Sequence, residues 1–197
     1  MPFCAARPSP NKQTSQSVRV VNTRHWYQKP TMTHEVILFT SPKAGSGAAR
    51  EQIPTLIERL AASGSTPLRI SSPDELKNLI DQRRETGVPR PIVIAEGGDG
   101  TLSLVAANTD SQTPLLPMPL GTENLLARHY GQRNDAVAIL QTIDVGNEMQ
   151  LDAGSANGRL FLFMATAGFD AEVVRTLDES RHGHIRRLSY MLPILRT

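Results

Sequence analysis

The sequence has a single cysteine, Cys4, among its 197 residues. One thiol cannot form a disulfide within the chain, and it cannot supply the paired cysteines of a structural zinc site. The sequence also lacks any apolar run of the roughly 18 residues that a membrane-spanning helix needs. We therefore expect a globular protein of a reducing, cytoplasmic compartment, for which any contact with a membrane is peripheral.

Acidic residues are absent from the first 32 positions, which carry five Lys and Arg residues. This segment is rich in Pro, Ser, Thr, Gln and Asn and has no apolar period, so it buries too little surface to offset the entropy lost on ordering. We predict that residues 1–32 are a disordered basic extension. The alternatives are residues added upstream of a start at Met32, or a transit peptide. Basic residues elsewhere are scattered, so no nucleic-acid partner is expected.

Two common phosphate-binding fingerprints are also missing. No segment fits the G-x-x-x-x-G-K-[ST] pattern of a P-loop. The first predicted strand is followed by a glycine-containing segment at residues 41–47. A dinucleotide-binding fingerprint that begins at Gly45 would need Gly or Ala at position 50, where this sequence has Arg50. Neither a P-loop nor a standard dinucleotide-binding turn is predicted.

The most informative segment that is present is PIVIAEGGDGT, at residues 91–101. Its first half predicts a buried strand, and its glycines are expected to adopt positive φ and to expose backbone N–H groups where no Cβ obstructs a ligand. A helix predicted from Leu102 would add the positive end of its dipole. The segment therefore predicts a phosphate-binding loop, whose residues are Gly97, Gly98, Gly100 and Thr101.

Asp99 lies between these glycines. A carboxylate beside a polyphosphate is repelled unless a proton or a divalent cation compensates its charge. We therefore expect Mg²⁺ at this loop, with Asp99 as its ligand and as the catalytic residue. In the alternative interpretation, the segment is a ligand-free turn between strand and helix in which Asp99 is the N-cap.

Strands and helices alternate from Glu35 to about Val145, which predicts an α/β fold with a mostly parallel sheet and helices on both faces. Beyond that point, Asn157-Gly158 separates two strand patterns and predicts an antiparallel hairpin. We predict three regions, namely the extension at 1–32, a nucleotide-binding α/β domain at 33–145 and part of a second domain at 146–197. The predicted strands of the first domain are residues 36–39, 66–70, 92–95 and 115–118. Its clearest predicted helices begin at Ile53, at Pro73 after a capping-box pattern that starts at Ser72, at Leu102 and at Asn134.

Three motifs together resemble the diacylglycerol kinase catalytic domain, a lipid-kinase family that includes sphingosine and ceramide kinases and is distantly related to NAD kinases. GGDGT at residues 97–101 matches the signature of that superfamily. PLGTEN at residues 119–124 looks like the lipid-kinase P-x-G-[ST]-x-N loop, and AGFDAEV at residues 167–173 is similar to a segment of the family's second domain. Two departures stand out, because Ser41 replaces the leading Asn of the first family loop and Leu125 stands where diacylglycerol kinases usually have Asp.

This resemblance implies transfer of the ATP γ-phosphoryl group to a lipid hydroxyl, with ATP and Mg²⁺ as cofactors and a diacylglycerol-like lipid as substrate. It implies a cytoplasmic enzyme at the inner face of the membrane, and a homodimer is the expected assembly. The second domain would be an antiparallel β-sandwich, and Asp170 of the third motif would either orient the backbone near the cleft or cap a helix that begins near Ala171. The residues implied to bind nucleotide are Ser41, Lys43, Gly45 and Arg50 from the first loop, Gly97, Gly98, Gly100 and Thr101 from the second, and Gly121, Thr122 and Asn124 from the third.

Two other functions remain open at the level of sequence, namely an NAD kinase and a catalytically silent nucleotide-binding protein. The family's acceptor-activating carboxylate has no match in the chain, and the second region shows only one clear hairpin. We therefore expect a truncated or partial kinase. Basic and apolar residues mix at residues 181–193, which predicts an amphipathic helix that either packs on the second domain or meets anionic lipid.

Overall fold

The computed structural model describes residues 16–22, 35–41, 50–169, 171–173 and 175. Its strands are β1 (Gln16–Asn22), β2 (Val36–Thr40), β3 (Leu68–Ile70), β4 (Ile92–Gly97), β5 (Pro114–Pro119), β6 (Asn147–Ala156) and β7 (Arg159–Phe161). Its helices are α1 (Gln52–Ala62), α2 (Pro73–Thr86), α3 (Asp99–Ala107), α4 (Leu125–His129) and α5 (Ala136–Val145).

The strands form a seven-stranded sheet in the order β3-β2-β4-β5-β1-β6-β7. The pairs from β3 through to β1 are parallel, whereas β6 runs antiparallel to both β1 and β7. The predicted α/β class with a mostly parallel sheet is confirmed. Because parallel strands end at the same edge, the segments that follow β2, β4 and β5 start side by side.

Helices cover both faces of this sheet. In β4, Val93 and Ala95 belong to one buried cluster, while Ile92 and Ile94 belong to the other. Apolar residues from α2 and α3 join the first cluster, and those from α1 and α5 join the second. A strand buried on both faces needs an unbroken apolar run, which explains why β4 shows no alternation.

Residues 16–22 correct the prediction of a disordered extension. They form β1, which is inserted between β5 and β6, and all seven residues pair with residues 147–153 of β6. Val18 and Val20 join one core cluster, Val21 joins the other, and Val20 is 0% exposed. The prediction is wrong for these seven residues, because so short a strand is ordered by its neighbours rather than by its own composition. The other residues of the extension lie outside the described part of the chain.

The predicted hairpin is confirmed. Strands β6 and β7 are antiparallel, and Asn157 and Gly158 join them with φ values of 51° and 74°, as a two-residue turn with left-handed backbone requires. Strand β7 ends at Phe161. Since β6 pairs with β1, the sheet continues past the boundary predicted near Val145. The division into two domains, and the β-sandwich, stay predictions.

Candidate functional site

Two of the predicted loops lie against each other at the carboxyl edge of the sheet. Gly97 at the end of β4 is in register with Pro119 at the end of β5, and the N–H of Leu120 donates to the carbonyl of Gly97 at 3.0 Å. The loop at residues 97–101 and the loop at residues 119–124 therefore leave the sheet as neighbours. We call them the glycine loop and the second loop.

Close backbone packing explains the glycines in these loops. A Cβ built on Gly121 would lie 2.7 Å from the Cα of Gly98, and one built on Gly97 would collide with the side chain of Thr101. Positive φ is not the reason, since Gly98 has φ −95° and the loop glycines are not among the described residues with left-handed backbone. The prediction of positive φ for Gly97, Gly98 and Gly100 is therefore wrong. At Gly100, no described heavy atom lies within 4 Å of an added Cβ.

Asp99 joins the two loops. Its Oδ2 accepts a hydrogen bond from the N–H of Leu125 at 2.9 Å, and its Oδ1 accepts one from the N–H of Leu126 at 3.2 Å. These are orphan donors at the start of α4, so the carboxylate caps a helix that is distant in sequence. The predicted alternative placed Asp99 as the N-cap of its own helix, whereas the N-cap of α3 is Gly98.

Asn124 closes the second loop on itself. Its backbone is left-handed, with φ 49° and ψ 51°, a conformation that Asn tolerates better than most residues. Its Oδ1 accepts from the N–H of Gly121 at 2.9 Å, and its Nδ2 donates to the carbonyl of Gly121 at 2.7 Å. The carboxamide thus shapes the loop, and a direct contact with nucleotide stays a prediction for both Asn124 and its partly exposed neighbour Thr122.

The remaining predicted residues divide into three groups. Thr101 is only 8% exposed and packs on Gly97, so its side chain faces the protein. Arg50, just before α1, donates from a guanidinium nitrogen to the carbonyl of Ser41 at 3.1 Å, which places a cation beside the end of β2. The third group, outside the described residues, is Lys43, Gly45, Asp170 and the predicted helix at residues 181–193.

Glu96 is a residue of this region that the sequence motifs did not single out. It is 0% exposed although it immediately precedes the glycine loop, and the hydroxyl of Thr40 donates to its Oε2. Its Oε1 has no hydrogen-bond partner within the described part of the chain. Burial raises the pKa of Glu96, while the Thr40 hydrogen bond and the charges of Arg69 and Arg50 oppose that rise. The sequence signal that could have identified Glu96 is a carboxylate inside an otherwise apolar strand.

The sequence pattern of the diacylglycerol kinase catalytic domain matches residues 35–156, a range that contains both loops. This chain belongs to that family. It is 34% identical over 140 residues to a Pseudomonas fluorescens protein named "Probable lipid kinase YegS-like", covering 68% of this chain and 46% of that protein. A Pseudomonas aeruginosa protein of the same name is 29% identical over 153 residues, covering 75% and 50%. The chain thus spans about half the length of these relatives.

The fold agrees with this diacylglycerol kinase family. A crystal structure named "a putative diacylglycerol kinase from Bacillus anthracis str. Sterne" superposes with a TM-score of 0.50 over 73% of this chain and 53% of that one, at 23% identity. At that identity the likeness concerns the fold alone. Among the residues that the structure describes in this family member, none of the helices has the length and apolar character to cross a bilayer.

The carboxylate of Asp99 has the donor chemistry that a metal ion requires in this family member. No group of three or more His, Cys, Asp or Glu side chains gathers to hold one among the described residues. Each Asp99 oxygen accepts one N–H, which leaves lone pairs free on a partly exposed carboxylate. Mg²⁺ is commonly held by one or two carboxylates together with substrate phosphates and water. The site therefore fits a magnesium ion that arrives with a nucleotide.

Proposed function

We propose that this chain is the nucleotide-binding part of an ATP-dependent lipid kinase that transfers the γ-phosphoryl group to the hydroxyl of a diacylglycerol-like lipid. The observation that carries the proposal is the pair of loops at the sheet edge, which belong to a kinase catalytic family and are tied together through Asp99. Neither loop holds this geometry without the other, because Gly98 packs on Gly121 and Asp99 caps α4.

Phosphate recognition in this proposal uses the backbone. The first turn of α3 leaves N–H groups unpaired in the helix, and these groups together with the helix dipole favour an anion. Gly98 and Gly100 keep side chains away from that turn, and Arg50 adds positive charge from the neighbouring strand end. Phosphoryl transfer then depends mainly on positioning and on neutralising charge.

Asp99 would hold Mg²⁺ in this scheme, with the lone pairs that its two N–H partners leave free. When bound, the ion would neutralise charge on the phosphate oxygens. By capping α4, Asp99 would also fix the distance between its carboxylate and the second loop. A peripheral position at the inner face of the membrane, and a homodimer, belong to the same proposal and rest on the family alone.

A catalytically silent nucleotide-binding protein is the second candidate. One observation favours it, namely that both Asp99 oxygens already accept backbone hydrogen bonds and so have a structural task without any metal. The NAD kinase alternative receives no such support, because the second loop matches the lipid-kinase pattern.

The test is to titrate the purified chain with Mg·ATP and then to offer labelled ATP with either diacylglycerol micelles or NAD. Binding of Mg·ATP is the expected result, because the proposal makes this chain the nucleotide-binding part of the enzyme, and any label that is transferred should appear on the lipid. Labelled NAD would contradict the lipid-kinase proposal, and an affinity for ATP that does not depend on Mg²⁺ would favour the silent protein. Absence of any ATP binding would reject both candidates. Gly121→Val is the matched negative control, because it disrupts the contact between the loops and leaves every charged residue in place.

A further inference from the structure

Glu96 is a buried acid that the proposed phosphoryl transfer does not use. It occupies the second-to-last position of β4, where it is in register with Thr40 of β2 and with Met118 of β5. Its side chain is on the sheet face that carries α1, as the alternation of β4 requires. A charged side chain with 0% exposure normally needs compensating partners, and the described residues provide only some of them.

The partners of Glu96 lie on three neighbouring elements. Thr40 donates its hydroxyl to Oε2, and the charges of Arg69 in β3 and Arg50 next to α1 act on the carboxylate. The β5 neighbour, Met118, is apolar and buried. One oxygen, Oε1, keeps no hydrogen bond within the described part of the chain. Among the described residues, the carboxyl group is therefore held at one oxygen and has no hydrogen bond at the other.

Arg50 is linked to the same strand end. Its guanidinium donates to the carbonyl of Ser41, the residue that follows Thr40 in the chain. Two adjacent residues thus hold these groups: Thr40 holds Glu96 through its hydroxyl, and Ser41 holds Arg50 through its backbone carbonyl. Glu96 immediately precedes the glycine loop, so the acid and Arg50 both lie at strand ends on the sheet edge where that loop begins.

We propose that binding of a phosphate at the glycine loop is accompanied by protonation of Glu96, the buried acid that immediately precedes this loop. The inference rests on the proposed nucleotide site. A charged Glu96 carboxylate would compete with an incoming phosphate for the positive charge of Arg50. In the complex, a neutral Glu96 leaves that charge to the phosphate. Nucleotide binding is thereby accompanied by uptake of a proton at the Glu96 carboxyl group.

The direction follows from electrostatics. A bound anion disfavours the negative form of a nearby acid and therefore raises its pKa further than burial does alone. By linkage, a ligand that raises the pKa of a group binds more tightly as the pH falls through that pKa. Each unit of additional shift weakens binding about tenfold at the alkaline end of the profile relative to the acidic end.

The first experiment uses the unmodified chain. Calorimetric titration with Mg·ATP near neutral pH, in Pipes and in imidazole buffers, separates the heat of proton transfer from the heat of binding. The expected result is uptake of up to one proton per nucleotide, seen as a difference in heat between the buffers. Equal heats in the two buffers would overturn the inference.

The second experiment compares pH profiles of Mg·ATP affinity for the parent chain and for Glu96→Gln, between about pH 5 and 8. The amide resembles the protonated acid, so the variant should bind as tightly at high pH as at low pH, and it should take up fewer protons. Glu58→Gln, an exposed position on α1, is the control and should follow the parent. A side chain with a merely structural role would change stability and leave the slope of the profile intact.

The outcomes separate this inference from the function on which it rests. If neither protein binds Mg·ATP at any pH, the nucleotide site itself is rejected, and the Glu96 inference with it. If both bind with the same pH slope, only the role of Glu96 is rejected. If Glu96→Gln does not fold, the two-buffer titration of the parent chain still decides.

Discussion

The glycine loop and β1 show opposite relations between sequence and structure. The glycine loop has the most conspicuous sequence of the chain, and the structure places it at the sheet edge where a ligand is expected. Strand β1 has no comparable signal, yet it lies between β5 and β6 with Val20 completely buried. The glycines of the glycine loop allow close packing at the sheet edge, where Gly98 lies against Gly121. The order of β1 comes from its neighbours, and local composition does not reveal it.

The strongest test of that difference is Val20→Asp. The substitution puts an unpaired charge at a position with 0% exposure, and we expect it to lower the free energy of unfolding by about 3–5 kcal/mol. Val88→Asp makes the same change at a position that is 43% exposed, and it should shift stability by less than about 0.5 kcal/mol. Urea unfolding of both variants gives the comparison. Equal, small effects would mean that β1 is not part of the folded core.

The contact between the glycine loop and the second loop should respond to a much smaller change. In Gly121→Ala the new Cβ would lie 2.7 Å from the Cα of Gly98, so the two loops must separate, and we expect a loss of about 1–3 kcal/mol. Gly100→Ala meets no described atom within 4 Å and lies in the first turn of α3, so it should stabilise the chain by up to about 1 kcal/mol. Thermal unfolding distinguishes the two. Similar losses would show that the loop needs glycine for its conformation and not for packing.

Asp99→Asn examines the link between the loops. An amide offers one acceptor where the carboxylate offers two, and its NH₂ group would face a backbone N–H of α4. We expect a loss of about 1–2 kcal/mol, the usual cost of a lost helix cap. The ratio of ATP affinities measured with and without Mg²⁺ should also fall towards one. A lower stability with an unchanged ratio would leave Asp99 as a cap only.

Much of the fold could be predicted, because its strands are buried on both faces. The apolar runs that predict strands at 36–39, 92–95 and 115–118 correspond to β2, β4 and β5. The capping pattern at Ser72 also holds, since its hydroxyl accepts from the N–H of Glu75 at the start of α2. Such signals depend on residues that are close together in the sequence, so the sequence alone is enough to interpret them.

The sequence predicted where the candidate site lies but not which of its residues contact one another. Sequence located the glycine loop and the second loop, yet it could not show that Asp99 caps a helix 26 residues away or that Gly98 packs against Gly121. Both are contacts between segments distant in the chain. Glu96 illustrates the same limit, because its burial depends on how β2, β5 and α1 surround it.

Arg19→Gln should have the smallest effect, and it tests what holds β1 in place. Arg19 donates to Glu148 of β6 at 2.9 Å and to Gln112, just before β5, at 3.1 Å, so its side chain bridges the strands on either side. The Arg19 and Glu148 side chains are 26% and 34% exposed, and pairs of that kind contribute at most about 1 kcal/mol. We expect a loss of about 0.5 kcal/mol that disappears when salt is raised, because added ions screen the pair. If this loss approached that of Val20→Asp, polar links would hold β1 in the sheet, and burial of its valines would not be the main source of its order.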